Sequence, residues 1–182
     1  MSWGQSNSDF YGSSCPGAVR IGVLINPANP QAGTTAAEVE AGAGIMGLQI
    51  RIYNASTDRE INAAFAAMAR DRSDALFVGP DPYFTVRRVQ IANLASRHAI
   101  PALYYARDFP EAGGLMSYGT NIPDAYRQVA VYAGRILKGA KPADLPVVQA
   151  SKFELVVNLA TAMMLGIDVP ATLLARADEV IE

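Results

Sequence analysis

The stretch Val19–Ile25, with the sequence VRIGVLI, decides the fold class, because it is a short, nearly continuous apolar run rich in β-branched residues. Such a run is typical of a β-strand that is buried on both faces of a parallel sheet. A break rich in Asn and Pro follows. The pattern then predicts a helix from about Ala32 to Met46, with Thr34 or Thr35 as its N-cap and Gly47 as its end.

The same strand–helix cycle repeats along the chain. Apolar runs predict further strands at Leu48–Tyr53, Asp74–Val78, Ile100–Tyr105 and Leu115–Gly119, with helical segments between them. Strands that alternate with helices of about 10 to 15 residues predict βαβ units with right-handed crossovers. The sequence therefore predicts an α/β fold built on a parallel sheet.

Two of the predicted helices have informative patterns. The spacing of Thr57 and Glu60 is that of a capping box, in which each side chain satisfies a free backbone N–H group at the start of a helix. A later helix is predicted from about Phe84 to His98. The apolar side chains that we expect it to direct toward the sheet are Val86, Val89 and Leu94.

The last third of the chain departs from this short cycle. A strongly amphipathic helix is predicted at Asp124–Lys138, followed by an extended linker over residues 140–146. Another strand is expected at Phe153–Val157, then a short helix at Leu159–Leu165 and a final helix from Pro170. We expect three parts: an unstructured lead-in at residues 1–18, a domain at 19–114, and a crossover helix, return strand and C-terminal helices at 115–182.

The composition of the 182 residues argues against several classes of protein. Hydrophobic residues make up 51%, which is too high for a disordered chain, and the formal net charge of −2 gives no basic field for nucleic acid. A single Cys and a single His argue against an internal disulfide and against a Cys- or His-rich metal site. Phosphate-binding glycine motifs are absent. We therefore expect no metal, no cofactor, no nucleic-acid partner and no enzymatic activity.

Polar residues follow the first and third predicted strands, and parallel sheets bind ligands at the carboxyl ends of their strands. Asn26 and Asn29 are turn formers or amide donors to a ligand carboxylate. Asp81 lies between two prolines. It is either a turn residue that accepts backbone N–H groups or a carboxylate that holds a cationic or hydroxyl group of a ligand.

Aromatic residues end the later strands. Tyr104 and Tyr105 end the fourth strand and Tyr118 the fifth, where each either packs at the edge of the core or forms a stacking wall for a flat ligand group. Arg107 either grips a carboxylate with two nitrogens or pairs with a neighbouring acidic residue. His98 lies at the C-terminal end of a predicted helix, which favours a solvated helix-end residue over a catalytic one.

Five blocks of the sequence carry a resemblance to a known family. They are VLINPANP at Val23–Pro30, DALFVGPDP at Asp74–Pro82, GGLMSYG at Gly113–Gly119, ILKGAKPADLPV at Ile136–Val147 and FELVVN at Phe153–Asn158. In this order they resemble the ABC-transporter substrate-binding proteins of the tryptophan- and tyrosine-binding type. Those proteins have the type I periplasmic binding protein fold, in which two Rossmann-like lobes close on a small solute.

The resemblance implies a Rossmann-like three-layer parallel sheet that forms one lobe of such a protein, together with crossover segments and without the N-terminal lobe. It implies the partial solute-binding component of an ABC-type uptake transporter, with an amino-acid-like ligand and an ABC permease as partners. The implied location is the periplasm, or the cytoplasm if the chain is expressed as given, since we see no signal peptide. The expected ligand-binding residues are Asn26, Pro27, Asn29, Asp81, Tyr104, Tyr105, Arg107 and Tyr118.

The missing lobe has a consequence for the amphipathic helix at 124–138. Its apolar face would be exposed, so we expect a homodimer in which two copies cover that face. An alternative function follows from the same feature: a truncated interaction domain that binds no small molecule and homodimerises through this helix.

Overall fold

The computed structural model describes residues 18–146 and 152–182. The strands are β1 (Arg20–Ile25), β2 (Gln49–Asn54), β3 (Ala75–Val78), β4 (Ala102–Tyr104), β5 (Met116–Thr120), β6 (Phe153–Asn158) and β7 (Glu179–Ile181). The helices are α1 (Ala32–Met46), α2 (Asp58–Arg70), α3 (Pro82–Val86), α4 (Arg88–Arg97), α5 (Asp108–Glu111), α6 (Ile122–Leu137), α7 (Leu159–Leu165) and α8 (Ala171–Leu174), with a 3₁₀ helix at Pro142–Asp144. Apart from residue 18, the predicted lead-in at 1–18 lies outside the described residues.

The seven strands form one sheet in the order β2-β1-β3-β4-β5-β6-β7. All neighbouring strands run parallel except β5 and β6, which are antiparallel. The predicted α/β fold on a parallel sheet is confirmed, except that β6 runs antiparallel to β5. The carboxyl ends of β1 to β5 therefore share one edge of the sheet, and the amino end of β6 joins them there, because Thr120 pairs with Phe153.

The sheet is the middle of three layers. On one face α2, α3, α4 and α5 pack against it, and on the other face α1, α7 and α8 do so. The core side chains of the first group include Ile61, Phe65, Met68, Phe84, Ile91 and Phe109. The second group includes Val39, Ala162 and Leu173. One sheet spans the proposed boundary between residues 114 and 115, so that boundary stays a prediction.

The helix predicted over Phe84–His98 is two helices in the structure. Asp81 caps α3 with its carboxylate, and the chain leaves helical geometry at Arg87 before α4 begins. This break changes which side chains face the core. Leu94 is buried as predicted, but Val86 and Val89 are 67% and 54% exposed, so their predicted orientation is wrong.

The predicted N-cap of α1 is also wrong. Asn29 turns the chain before the helix, because its side-chain oxygen accepts a hydrogen bond from the backbone N–H of Gln31. Gln31 is the N-cap, and α1 already includes Thr34 and Thr35. Gly47 ends α1 in the left-handed conformation, as predicted.

The C-terminal region contains one unpredicted strand and one unusual helix. Strand β7 follows α8 at an edge of the sheet, where the short sequence Glu179–Ile181 gives little pattern. Helix α6 agrees with the predicted amphipathic helix, yet it has no buried residue. Tyr126, Val129 and Leu137 on it are 72%, 63% and 88% exposed.

Candidate functional site

The first polar group at the carboxyl edge comprises Asn26, Asn29 and Asp81, which we call the closed rim. Asp81 follows β3 and is only 5% exposed. Its carboxylate accepts hydrogen bonds from the side-chain amide of Asn26 at 3.2 Å, from that of Asn29 at 2.8 Å and from the backbone N–H of Tyr83 at 2.8 Å. The structure therefore brings Asp81 together with two asparagines that lie more than 50 positions earlier in the sequence.

The closed rim is internally satisfied. The side-chain oxygens of Asn26 and Asn29 accept hydrogen bonds from the backbone N–H groups of Ala28 and Gln31. The cavity beside the two asparagines holds only about 10 Å³, which is at the lower limit of the volume that holds a single water molecule. Pro27 lies exposed on the same loop. These bonds favour the turn-forming interpretation of Asn26, Asn29 and Asp81 and leave no space for a solute between them.

An open pocket of about 450 Å³ lies farther along the same edge, at the ends of β3, β4 and β5 and the start of β6. A volume of this order suits a small organic molecule. The residues that line the open pocket are Pro80, Thr85, Tyr105, Ala106, Asp108, Tyr118, Gly119, Thr120, Ile122 and Phe153. Two predicted site residues, Tyr105 and Tyr118, are among them.

Tyr105 joins the open pocket to the closed rim. Its hydroxyl donates a hydrogen bond of 2.6 Å to the backbone carbonyl of Asp81 and also contacts the hydroxyl of Thr85. Burial raises the pKa of Tyr105, and the nearby carboxylates of Asp81 and Asp108 act in the same direction. The hydroxyl therefore stays protonated and keeps donating.

Tyr118 and Phe153 form an aromatic wall of the open pocket. Their ring centroids are 5.6 Å apart and the ring planes differ by 14°, which is a stacked arrangement. The antiparallel pairing of β5 and β6 positions them, since Tyr118 lies opposite Leu155 and Thr120 opposite Phe153. A flat, apolar ligand group would fit against this wall.

Gly119 brings two pocket strands into close approach. A Cβ atom placed on Gly119 would lie 1.8 Å from the carbonyl oxygen of Tyr105. Only a residue without a side chain allows the end of β5 to contact the end of β4 in this way.

Tyr104 does not line the pocket, which departs from its expected role as a ligand contact. It is fully buried, and its ring stacks on Phe109 with centroids 4.5 Å apart. Tyr104 is the last residue of β4, and its side chain lies inside the core cluster on the face of the sheet that α2, α3, α4 and α5 cover. Burial raises the pKa of Tyr104. The packing alternative therefore describes this residue.

Arg107 also points away from the open pocket. Its guanidinium bonds to the carboxylates of Glu111 at 2.8 Å and Glu179 at 2.7 Å, and more weakly to Glu154 at 3.4 Å. These acidic partners raise the pKa of Arg107. Arg107 thus connects α5 to β6 and β7. These contacts favour the alternative in which Arg107 pairs with acidic residues, and two of its partners, Glu154 and Glu179, are remote in sequence.

The predicted site residues omit eight of the ten described residues that line the open pocket, which are Pro80, Thr85, Ala106, Asp108, Gly119, Thr120, Ile122 and Phe153. Asp108 lies just past the end of β4, so its position could have suggested it. Phe153 enters the site only through the antiparallel pairing of β5 with β6, which the local sequence does not specify.

Residues 18–146 and 152–182 contain neither a metal cluster nor a membrane-spanning helix. No group of three or more His, Cys, Asp or Glu side chains there could hold a metal ion. Within the same ranges, no helix has the length and apolarity needed to cross a membrane.

Three solved structures resemble this chain. One is an ABC domain in complex with L-Trp from Streptococcus pneumoniae, with 27% identity, a TM-score of 0.86, and coverage of 98% of this chain and 60% of the other. A conserved domain protein from Vibrio cholerae has 26% identity, a TM-score of 0.86, and coverage of 99% and 60%. An open, ligand-free substrate-binding protein from Clostridium difficile, at 20% identity, TM-score 0.76 and coverage of 100% and 60%, supports the fold alone.

This chain spans about 60% of the length of each of these three proteins. A comparison with curated protein sequences gives no match. The family model described as "ABC transporter substrate binding protein" matches residues 9–181, which is nearly the whole chain. The chain therefore belongs to the family of ABC transporter substrate-binding proteins.

Proposed function

We propose that this chain is the solute-binding component of an ABC-type uptake transporter and binds a small amino-acid-like molecule in the open pocket. The observation that carries the proposal is a 450 Å³ pocket with apolar and aromatic walls at the carboxyl edge of the sheet. Membership in the family and the L-Trp complex of one relative support the ligand class. An ABC permease and a periplasmic location belong to the same proposal.

The roles of the candidate residues follow from their contacts. Tyr105 and Tyr118 contact the ligand directly, since both line the open pocket. Asn26, Asn29 and Asp81 hold the edge in shape, because their polar atoms are bonded to one another and to the backbone. Arg107 fixes α5, the helix that carries Asp108, against β6 and β7.

Isothermal titration calorimetry against a panel of amino acids, with L-tryptophan included, tests the proposal. We expect at least one member to bind, and we expect Tyr118→Ala to weaken that binding by about tenfold because it removes a stacking partner. Tyr126→Ala is the matched control, since Tyr126 is 72% exposed on α6 and does not line the pocket. Absence of binding to the whole panel would contradict the proposal.

A second candidate function rests on helix α6. An amphipathic helix without a buried residue leaves an apolar face open to a partner, and a second copy of this chain would cover it in a homodimer. Sedimentation velocity over a range of concentrations tests this. A dimer that dissociates on Val129→Lys, together with calorimetry that detects no ligand, would favour this candidate over solute binding.

A further inference from the structure

Within residues 18–146 and 152–182, one residue supplies the charge of the open pocket. Asp108 is the one ionisable acid or base, apart from Tyr105 and Tyr118, among the described residues that line it. Asp108 is half-buried at the start of α5. Within the part of the chain that the structure describes, no hydrogen bond or ion pair engages its carboxylate. A carboxylate with these surroundings is available to a ligand.

The neighbouring cation does not neutralise Asp108. Arg107 is adjacent in sequence, but its guanidinium is bonded to Glu111, Glu179 and Glu154. Those contacts hold it on the side of α5 that faces β6 and β7. Among the described residues, the open pocket is therefore lined by an acidic group and not by a basic one.

A second carboxylate adds to the negative potential. Asp81 lies behind Tyr105, whose hydroxyl bonds to the Asp81 backbone carbonyl. Its carboxylate is held by two amide groups and one backbone N–H, which are neutral donors and leave the negative charge in place. The Asp81 carbonyl accepts the Tyr105 hydroxyl and Asp108 lines the pocket together with Tyr105, so both acidic residues lie on this side of the pocket.

We propose that the open pocket selects solutes in which a positively charged nitrogen is attached to a flat apolar group, and that Asp108 recognises the nitrogen. The flat group stacks on the wall formed by Tyr118 and Phe153. A ligand carboxylate contributes little, because no basic side chain of the described residues lines the pocket. The inference rests on the proposed function and specifies its ligand class as arylalkylammonium compounds, with or without a carboxylate.

Three probes that each contain an indole ring distinguish the contribution of a ligand ammonium from that of a ligand carboxylate. L-Tryptophan carries an ammonium and a carboxylate, tryptamine carries only the ammonium, and indole-3-propionate carries only the carboxylate. Calorimetry on the full chain should give tryptamine at least about tenfold tighter binding than indole-3-propionate. Asp108→Asn should weaken tryptamine binding by about tenfold. Asp168→Asn, which removes an exposed carboxylate outside the pocket, should leave that binding unchanged.

A measurement on the unmodified chain covers the case in which Asp108→Asn fails to fold. Added NaCl screens the attraction between a cation and a carboxylate, so tryptamine binding should weaken as salt rises. Indole-3-propionate that binds as tightly as tryptamine, or tryptamine binding that responds neither to salt nor to Asp108→Asn, would overturn this inference and leave solute binding intact. If no probe and no amino acid binds, both the inference and the proposed function fail.

Discussion

The closed rim and the open pocket lie on one edge of the sheet but differ in how their polar groups are used. In the closed rim Asp81 accepts three hydrogen bonds from within the chain, and almost no empty space remains. In the open pocket aromatic rings and a free carboxylate surround about 450 Å³. The comparison teaches that polar residues at strand ends do not identify a binding site by themselves. Unused hydrogen-bonding capacity beside an apolar cavity is the more specific sign.

The largest expected effect concerns the backbone of the open pocket. Gly119→Ala should lower the free energy of unfolding by about 3 kcal/mol, because the new Cβ atom collides with the carbonyl oxygen of Tyr105 and neither backbone can move freely. Gly134→Ala is the control, since nothing lies within 4 Å of a Cβ atom at that helical position. It should raise stability by up to about 1 kcal/mol. Urea unfolding measures both, and equal effects would contradict the close approach.

The next effect concerns the ion pairs of Arg107, which hold α5 against β6 and β7 beside the open pocket. Arg107→Ala should destabilise the fold by about 2 kcal/mol, because it leaves the buried carboxylate of Glu154 without its cation. Arg127→Ala removes an exposed ion pair with Asp124 and should cost less than about 0.5 kcal/mol. A thermal unfolding series that gives both variants the same melting temperature would show that the ion pairs of Arg107 do not hold α5 in place.

The comparison of the two regions is tested most simply at their two aspartates. Asp81→Ala should cost about 1.5 kcal/mol, since it removes the cap of α3 and leaves the amides of Asn26 and Asn29 without their acceptor. Asp108→Ala should change stability by less than about 0.5 kcal/mol because its carboxylate bonds to no described residue. Chemical unfolding should therefore rank the two variants clearly. If Asp108→Ala destabilised the fold more than Asp81→Ala, the closed rim would not have the structural role and the open pocket the binding role that we assign to them.

A smaller effect is expected at the opposite edge of the sheet. The Arg20 guanidinium and the backbone N–H groups of Val19 and Arg20 lower the pKa of Asp74 to about 2. Its stabilising contribution is complete above the ordinary pKa near 4 and disappears as the pH falls toward 2. Asp74→Asn should therefore reduce the loss of unfolding free energy between pH 5 and pH 2 by about 1 kcal/mol. Ligand binding should not change. A stability curve from pH 5 to 2 that is identical for the variant would contradict the ion pair.

The sequence was sufficient for the elements whose pattern is local. Ile61, Phe65 and Met68 repeat at helical spacing, and all three are fully buried on α2. The capping box was only half correct: Thr57 accepts the backbone N–H of Glu60, but the Glu60 carboxylate accepts that of Ser56. The predicted orientation of side chains on a helix was wrong where a cap changed the start of the helix. Asp81 caps the short helix α3, and Val86 at its end is exposed instead of buried.

The candidate site could be predicted only in part, because its geometry depends on contacts between distant strands. Proximity to a strand end was enough to single out Tyr105 and Tyr118. The mutual bonding of Asn26 and Asn29 with Asp81 joins residues more than 50 positions apart, and a one-dimensional pattern does not reveal it. The antiparallel return of β6, which brings Phe153 into the pocket, is non-local in the same way.

A titration followed by amide chemical shifts tests the central claim, that a solute binds in the open pocket and not at the closed rim. With L-tryptophan or tryptamine added to the labelled chain, we expect the largest shifts at the backbone amides of Ala106, Gly119 and Thr120, which line the open pocket. Largest shifts at Ala28, Asn29 and Gly79 would place the ligand at the closed rim. That result, or a spectrum unchanged by either molecule, would show that the open pocket is not the binding site for these solutes.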